Sequence, residues 1–198
     1  MLARHKYLLT YRYSEIIHDL TVEFTKKFLL GNLSHLSNLG FKPDYRTADQ
    51  MNQAARSGKQ NIVEGVGQSK VSKKGEIKLL GVAEASLEEL ITDYEDFLRQ
   101  RDLKIWSKSD PRILKFRQVA FRLTNISNLS DLGDLIEKPV LPENPEEAAN
   151  FLLTLCHQVT FLLSRQIKAL EEKFIKDGGF TENLFKRRLD SKMGKPLR

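Results

Sequence analysis

The chain has 198 residues, of which 40% are hydrophobic and 29% charged, proportions typical of a globular protein with room for a buried core. A single cysteine, Cys156, excludes an internal disulfide framework and favours a reducing compartment. The segment MLARHKYLLTYRYSE lacks the apolar run of a signal peptide, and no stretch approaches the ~20 apolar residues that span a membrane. We therefore expect a cytoplasmic protein without a membrane partner.

The first helix is predicted over residues 13–30, with Ser14 as a candidate N-cap. Gly31 and Asn32 are expected to end it. Apolar residues at helical spacing mark its buried face: Ile16, Ile17, Leu20, Phe24 and Phe28.

The second helix starts at a cap supplied by Thr47 or Asp44 and is predicted to end near residues 65–67. Glycine inside a helix costs ~1 kcal/mol relative to alanine, so we expect Gly58 to lie in a compensating close contact. The opposite, amide-rich row is either a solvated face or a lining shared with another subunit or a ligand. Small residues dominate one face of the helix: Met51, Ala54, Ala55, Gly58, Ile62 and Gly65.

The third helix has the clearest periodicity in the chain and is predicted to end near residue 101. Two apolar rows cover about half of its circumference, an arc too wide for one neighbour, which favours self-association. Glu84 lies in the main row, so we predict either a structural pair with Arg56 or Lys59 of the second helix, or a position at the edge of the interface in water. The main row is Ile77, Leu80, Glu84, Leu87, Ile91, Tyr94 and Leu98.

Two further helix starts follow, each with a polar cap before a proline. Ser109, Asp110 and Pro111 begin a shorter helix, predicted to extend to about residue 129, and Trp106 just before it is expected to close one end of the bundle. Asn144 and the residues after it begin the last long helix, which ends at the glycines 178–179.

No β-alternating run of useful length occurs in the sequence. Long amphipathic helices with short connections predict an all-α fold, an up-and-down antiparallel bundle. The bundle is predicted to span residues 1–178. Residues 179–198 are expected to form a basic C-terminal extension.

The second and third helices carry a resemblance to a known family. The segments RSGKQNIVEG at residues 56–65 and VAEASLEEL at residues 82–90, together with Glu76, resemble the bacterial four-helix-bundle proteins encoded in intervening sequences of large-subunit (23S) ribosomal RNA genes. The resemblance spans about residues 12–106 and is closest to the subgroup with a four-helix-bundle suffix domain. Accessory proteins of diversity-generating retroelements look like relatives of this family. The resemblance implies a four-helix bundle in which the helix at about residues 111–129 is inserted before the last bundle helix. It also implies a ring-shaped homo-oligomer, such as a pentamer, and a nucleic-acid or reverse-transcriptase partner.

We find no pattern of catalytic, cofactor-binding or metal-ligating residues, so a non-enzymatic protein without a cofactor is predicted. Cys156 and His157 are adjacent and therefore lie on different helix faces, which argues against a Cys–His nucleophile. The histidines do not pair with acidic or cysteine residues at a metal-binding spacing: His5, His18, His35 and His157.

Net charge provides the main functional indication. A net charge of +6 permits binding to a polyanion without demonstrating it. We predict that basic residues in the C-terminal half of the chain contact the phosphates of RNA or DNA. Little sequence preference is expected, because Phe180 and Phe185 are the only aromatic residues near the basic C-terminal extension that could stack on bases. The alternative is a structural or adaptor bundle that binds another protein. The candidate phosphate-binding residues are Arg112, Lys115, Arg122, Lys186, Arg187 and Arg188.

Overall fold

The computed structural model describes residues 2–31 and 43–193 of the chain. Of these residues 77% are helical, and the all-α prediction is confirmed. Within the described ranges the β-type pairing is limited to an isolated bridge between Leu129 and Leu135.

Six α-helices account for most of the described structure. The first continues without a break into a π-helical turn, Thr25–Leu29, and short 3-10 turns occur at Arg4–Tyr7 and Ile126–Asn128. The helices are α1 (Leu9–Phe24), α2 (Tyr45–Gln68), α3 (Lys73–Gln100), α4 (Pro111–Leu123), α5 (Pro145–Asp177) and α6 (Phe180–Lys192).

Side-chain caps set the starts of α2, α4 and α5. Of the two caps predicted for α2, Asp44 is the one used, and it accepts a hydrogen bond from the backbone N–H of Thr47 at 3.0 Å. Asp110 and Asn144 cap α4 and α5 as predicted, each with a proline at the start of the helix that follows. Such caps satisfy backbone N–H groups that lack a partner within the helix.

The predicted start of α1 and the predicted end of α4 are wrong. The first helix begins at Leu9 without a side-chain cap, and Ser14 is buried inside it, where its hydroxyl donates to the carbonyl of Tyr11 at 2.7 Å. The inserted helix ends at Leu123, because Thr124 already serves as its C-cap and a 3-10 turn follows.

The helices pack around one continuous apolar core. The most extensive helix-helix contacts join α2 to α3 and α3 to α5. In addition, α1 packs on α2 and α5, and α4 packs on α5. At the centre, the Phe24 ring meets the Tyr94 ring edge-on at 5.1 Å, and the buried Tyr94 hydroxyl lies 2.9 Å from that of Thr21. The apolar rows predicted for the long helices therefore meet in the interior.

The close contact predicted at Gly58 is confirmed. A Cβ atom built on Gly58 would lie 2.8 Å from Cγ of Leu87, which is fully buried on α3. At Gly65, farther along the same face, a Cβ would lie 3.4 Å from the carbonyl oxygen of Glu76. The small residues of α2 thus allow its backbone to approach α3.

A buried arginine attaches the end of α4 to α1. The Arg12 side chain is 6% exposed, and its Nε donates to the carbonyl of Thr124 at 2.6 Å while Nη1 donates to the carbonyl of Lys6 at 3.0 Å. Burial lowers the pKa of Arg12. A cation at the carbonyl end of a helix is favourable, so this contact holds α4 in place.

Candidate nucleic-acid interface

Arg112, one of the predicted phosphate-binding residues, is already paired. Its Nε and Nη2 donate to the two carboxylate oxygens of Asp110 at 3.0 and 2.8 Å. Its guanidinium also lies 3.4 Å from the centre of the Trp106 ring. Hydrogen bonds from the Arg112 side chain and backbone lower the pKa of Asp110 to about 2. A bidentate, stacked guanidinium of this kind is held in a structural contact.

Trp106 organises the connection between α3 and α4. Its indole N–H donates to Oε1 of Glu146 at 2.7 Å, and its backbone N–H donates to Oδ1 of Asn150 at 2.8 Å. The ring stacks on Phe116 with 5.8 Å between centroids. The indole hydrogen bond, followed by one from the backbone of Lys104, lowers the pKa of Glu146. Trp106 therefore holds the connection against the first turns of α5.

The two remaining predicted residues of α4 differ from each other. Arg122 donates to Oε1 of Glu137 at 2.7 Å, so it also has a carboxylate partner. Lys115 is exposed, and the ion pairs found between described residues do not include it. Of the three phosphate-binding residues predicted on α4, Arg112 and Arg122 are thus partly neutralised by neighbours in the fold.

The predicted residues of α6 are exposed and unpaired. Lys186, Arg187 and Arg188 lie on a helix without a buried residue, and none of them forms an ion pair within the part of the chain that the structure describes. On the same helix Phe180 and Phe185 are 50% and 60% exposed. The structure brings together cations and aromatic rings on α6, and places the α4 cations separately.

The polar groups predicted to pair between α2 and α3 have other partners. Glu84 is half-buried and accepts a hydrogen bond from the Ser164 hydroxyl of α5. Lys59 lies 3.0 Å from Nδ1 of His18, and Arg56 is exposed. The carboxylate of Glu84, a residue of α3, therefore makes its hydrogen bond to α5 and not to α2.

A groove that the sequence did not indicate lies between the Trp106 connection, α4 and α5. Its volume is about 600 Å³. Its wall includes the buried side chains of Ile113 and Leu153, and its edge includes Ile105 and Phe161, which are 54% and 62% exposed. These residues come from distant parts of the sequence, and only the packing of α4 on α5 brings them together.

The groove combines positive charge with an unsatisfied acceptor. Lys108 and Arg117 line it, and neither forms an ion pair among the described residues. Gln158 also lines it, and the buried Oε1 of Gln158 has no hydrogen-bond partner in the described structure. His157 also lines the groove, and its pKa is lowered mainly by burial; the charge of Glu95 raises the pKa, and the charge of Lys108 lowers it.

The structure separates Cys156 from His157 as their adjacency predicts. Cys156 is fully buried, and burial raises the pKa of its thiol, which disfavours the reactive thiolate. His157 lies at the groove. No group of three or more His, Cys, Asp or Glu side chains placed to bind a metal ion occurs in residues 2–31 and 43–193. The helices of the described chain are each too short or too polar to cross a membrane.

Comparison with known proteins identifies no relative: no protein-family model, curated protein or solved structure matches the chain.

Proposed function

We propose that this protein is a homo-oligomeric four-helix-bundle protein that associates with RNA or DNA through α6. In this proposal α1, α2, α3 and α5 form an up-and-down antiparallel bundle, and α4 is the helix inserted before the last one. The pairwise packing of these four helices and the short connection 69–72 between α2 and α3 support the arrangement.

One observation carries the proposal: the contiguous cations of α6 are available to a ligand, whereas two of the α4 cations are not. Lys186, Arg187 and Arg188 are exposed and have no carboxylate partner among the described residues. Phosphate groups compete poorly for an arginine already held by a bidentate carboxylate. We therefore place the contact at α6 and leave Arg112 outside it. Arg122, which has one exposed contact to Glu137, is expected to contribute less than an unpaired cation.

Low sequence selectivity follows from the same geometry. Phosphate contacts position a protein on nucleic acid without reading its bases. The exposed rings of Phe180 and Phe185 can stack on any base, since every base has a π-face. In a ring-shaped oligomer, several copies of α6 would bind one nucleic-acid molecule at the same time, so that individually weak contacts would give a higher overall affinity.

The test compares two triple variants that remove equal charge. The first replaces Lys186, Arg187 and Arg188 of α6 with alanine. The control replaces three exposed lysines near the start of α3 with alanine: Lys70, Lys74 and Lys78. Fluorescence anisotropy with labelled RNA and single-stranded DNA is followed over a salt series of about 50 to 200 mM.

We expect the α6 variant to bind all sequences at least tenfold more weakly and with a smaller salt slope, while the control keeps most of its affinity. Equal losses in the two variants would show that net charge, and not α6, is responsible. Absence of binding by the wild-type protein at the lowest salt would favour the adaptor function instead. Sedimentation at tens of micromolar tests the oligomer, and a monomer alone would contradict it.

A further inference from the structure

We infer that the groove between α4 and α5 is a docking site for an acidic peptide segment of another protein, one that carries an aromatic or aliphatic anchor. This site is separate from α6 and does not depend on nucleic-acid binding. Its volume of about 600 Å³ lies within the usual range for binding sites.

The apolar part of the groove requires an apolar group from its occupant. Ile113 and Leu153 are 6% and 4% exposed in its wall, whereas the edge residues Ile105 and Phe161 expose more than half of their surface. Removing such surface from water is favourable in proportion to the apolar area that the occupant covers. A buried apolar side chain therefore fits this site better than a sugar-phosphate backbone does.

The charges around the groove favour acidic residues in the peptide that binds there. Lys108 and Arg117 line it without an ion pair among the described residues, and the guanidinium of Arg165 lies 5.8 Å from the centre of the Phe161 ring. The opposing charge is Glu95, which acts on His157 from α3. Cations therefore predominate, and they complement aspartate or glutamate beside the anchor.

A peptide segment suits both features of the groove. One segment can carry an apolar side chain for the buried wall and a carboxylate for Lys108 and Arg117. Gln158 also lines the groove, and its buried Oε1 has no hydrogen-bond partner among the described residues.

The experiment is a selection from a random peptide library displayed on phage, with the wild-type full chain as bait. The double variant Arg117→Glu/Phe161→Ser, which changes two exposed groove residues, serves for counter-selection. Lys78→Glu, an exposed charge reversal on α3, is the control. The peptide that binds most strongly is then titrated into the protein while the fluorescence of Trp106 is measured. Trp106 is the single tryptophan of the chain and lines the groove.

We expect enrichment of peptides with an acidic residue beside an aromatic or aliphatic one, and a saturable change in Trp106 fluorescence. Arg117→Glu should weaken binding at least tenfold, Lys78→Glu should leave it unchanged, and exchanging the acidic residues of the peptide for lysine should restore binding to Arg117→Glu. The inference is overturned if no peptide is enriched, if enriched peptides lack acidic residues, or if they bind the double variant equally well. Displacement of the peptide by RNA at equal affinity would also overturn it, because the groove would then be a nucleic-acid site.

Discussion

The contact between Gly58 and Leu87 allows a test in which one kind of substitution has opposite effects at two positions. Replacing a helical glycine with alanine normally stabilises a helix by ~1 kcal/mol. At Gly81, inside α3, an added Cβ would meet no other atom within 4 Å, so Gly81→Ala should stabilise the protein by roughly 0.5–1 kcal/mol.

At Gly58 the same substitution should destabilise the protein. The new Cβ would lie 2.8 Å from Cγ of Leu87 and 3.0 Å from its Cδ2, and Leu87 is fully buried. Overpacking of a core costs ~1–3 kcal/mol. After subtraction of the ~1 kcal/mol gained in helix propensity, we expect Gly58→Ala to lose about 1 kcal/mol.

Urea unfolding followed by far-ultraviolet circular dichroism, at one fixed protein concentration, measures both free energies of unfolding. A third measurement isolates the steric cause: in a Leu87→Ala background the clash is absent, so Gly58→Ala should become stabilising. The reasoning fails if Gly58→Ala stabilises the wild-type protein as Gly81→Ala does, or if its effect is the same in both backgrounds.

Two further predictions concern carboxylates of α3. Because Glu84 accepts from the neutral hydroxyl of Ser164 and is half-buried, Glu84→Ala should lower the free energy of unfolding in urea by less than about 1 kcal/mol; a loss of ~3–5 kcal/mol would indicate a buried ion pair. Burial, followed by the charges of Glu89 and Asp96, raises the pKa of Asp93 to about 6. The ionised side chain therefore lowers the free energy of unfolding above that pH. This penalty disappears as the pH falls towards about 3.9, the pKa of an aspartate in the unfolded chain. Allowing for solvent screening, Asp93→Asn should raise the stability by about 1 kcal/mol at pH 8 and leave it unchanged at pH 4; an equal gain at both values would exclude titration of Asp93 as the cause.

Local chemistry decides which parts of the fold can be predicted from sequence. Asp110 and Asn144 mark helix starts because a cap acts on N–H groups only two or three residues away. The start of α1 carries no such signal, since Leu8 provides no capping side chain. The close contact at Gly58 could also be predicted, because Gly58 lies on a face of small residues, although the sequence does not identify Leu87 as the neighbour.

The candidate site is less predictable because its properties depend on partners that sequence spacing does not show. The pair between Arg122 and Glu137 spans a loop, and the sequence contains no periodicity that aligns them. The groove needs Ile113 from α4 and Leu153 from α5, so it exists only after these helices pack. The pair between Asp110 and Arg112 is the exception, since their separation of two residues on a helix start indicates that they can meet.

The functional consequence is that the number of basic residues matters less than their partners. Arg112 and Arg122 add to the net charge of +6, yet each lies within 3 Å of a carboxylate oxygen in the fold. A ligand phosphate must break or share those contacts, which reduces its gain in free energy. Lys186, Arg187 and Arg188 on α6 have no such competitor among the described residues, and Arg117 at the groove has none either. We therefore propose different partners for the two surfaces, although the same residue types supply the charge at both. For the cations and exposed rings of α6 the proposed partner is a polyanion with stacking bases, and for the cation beside the apolar groove it is an acidic peptide with a buried anchor.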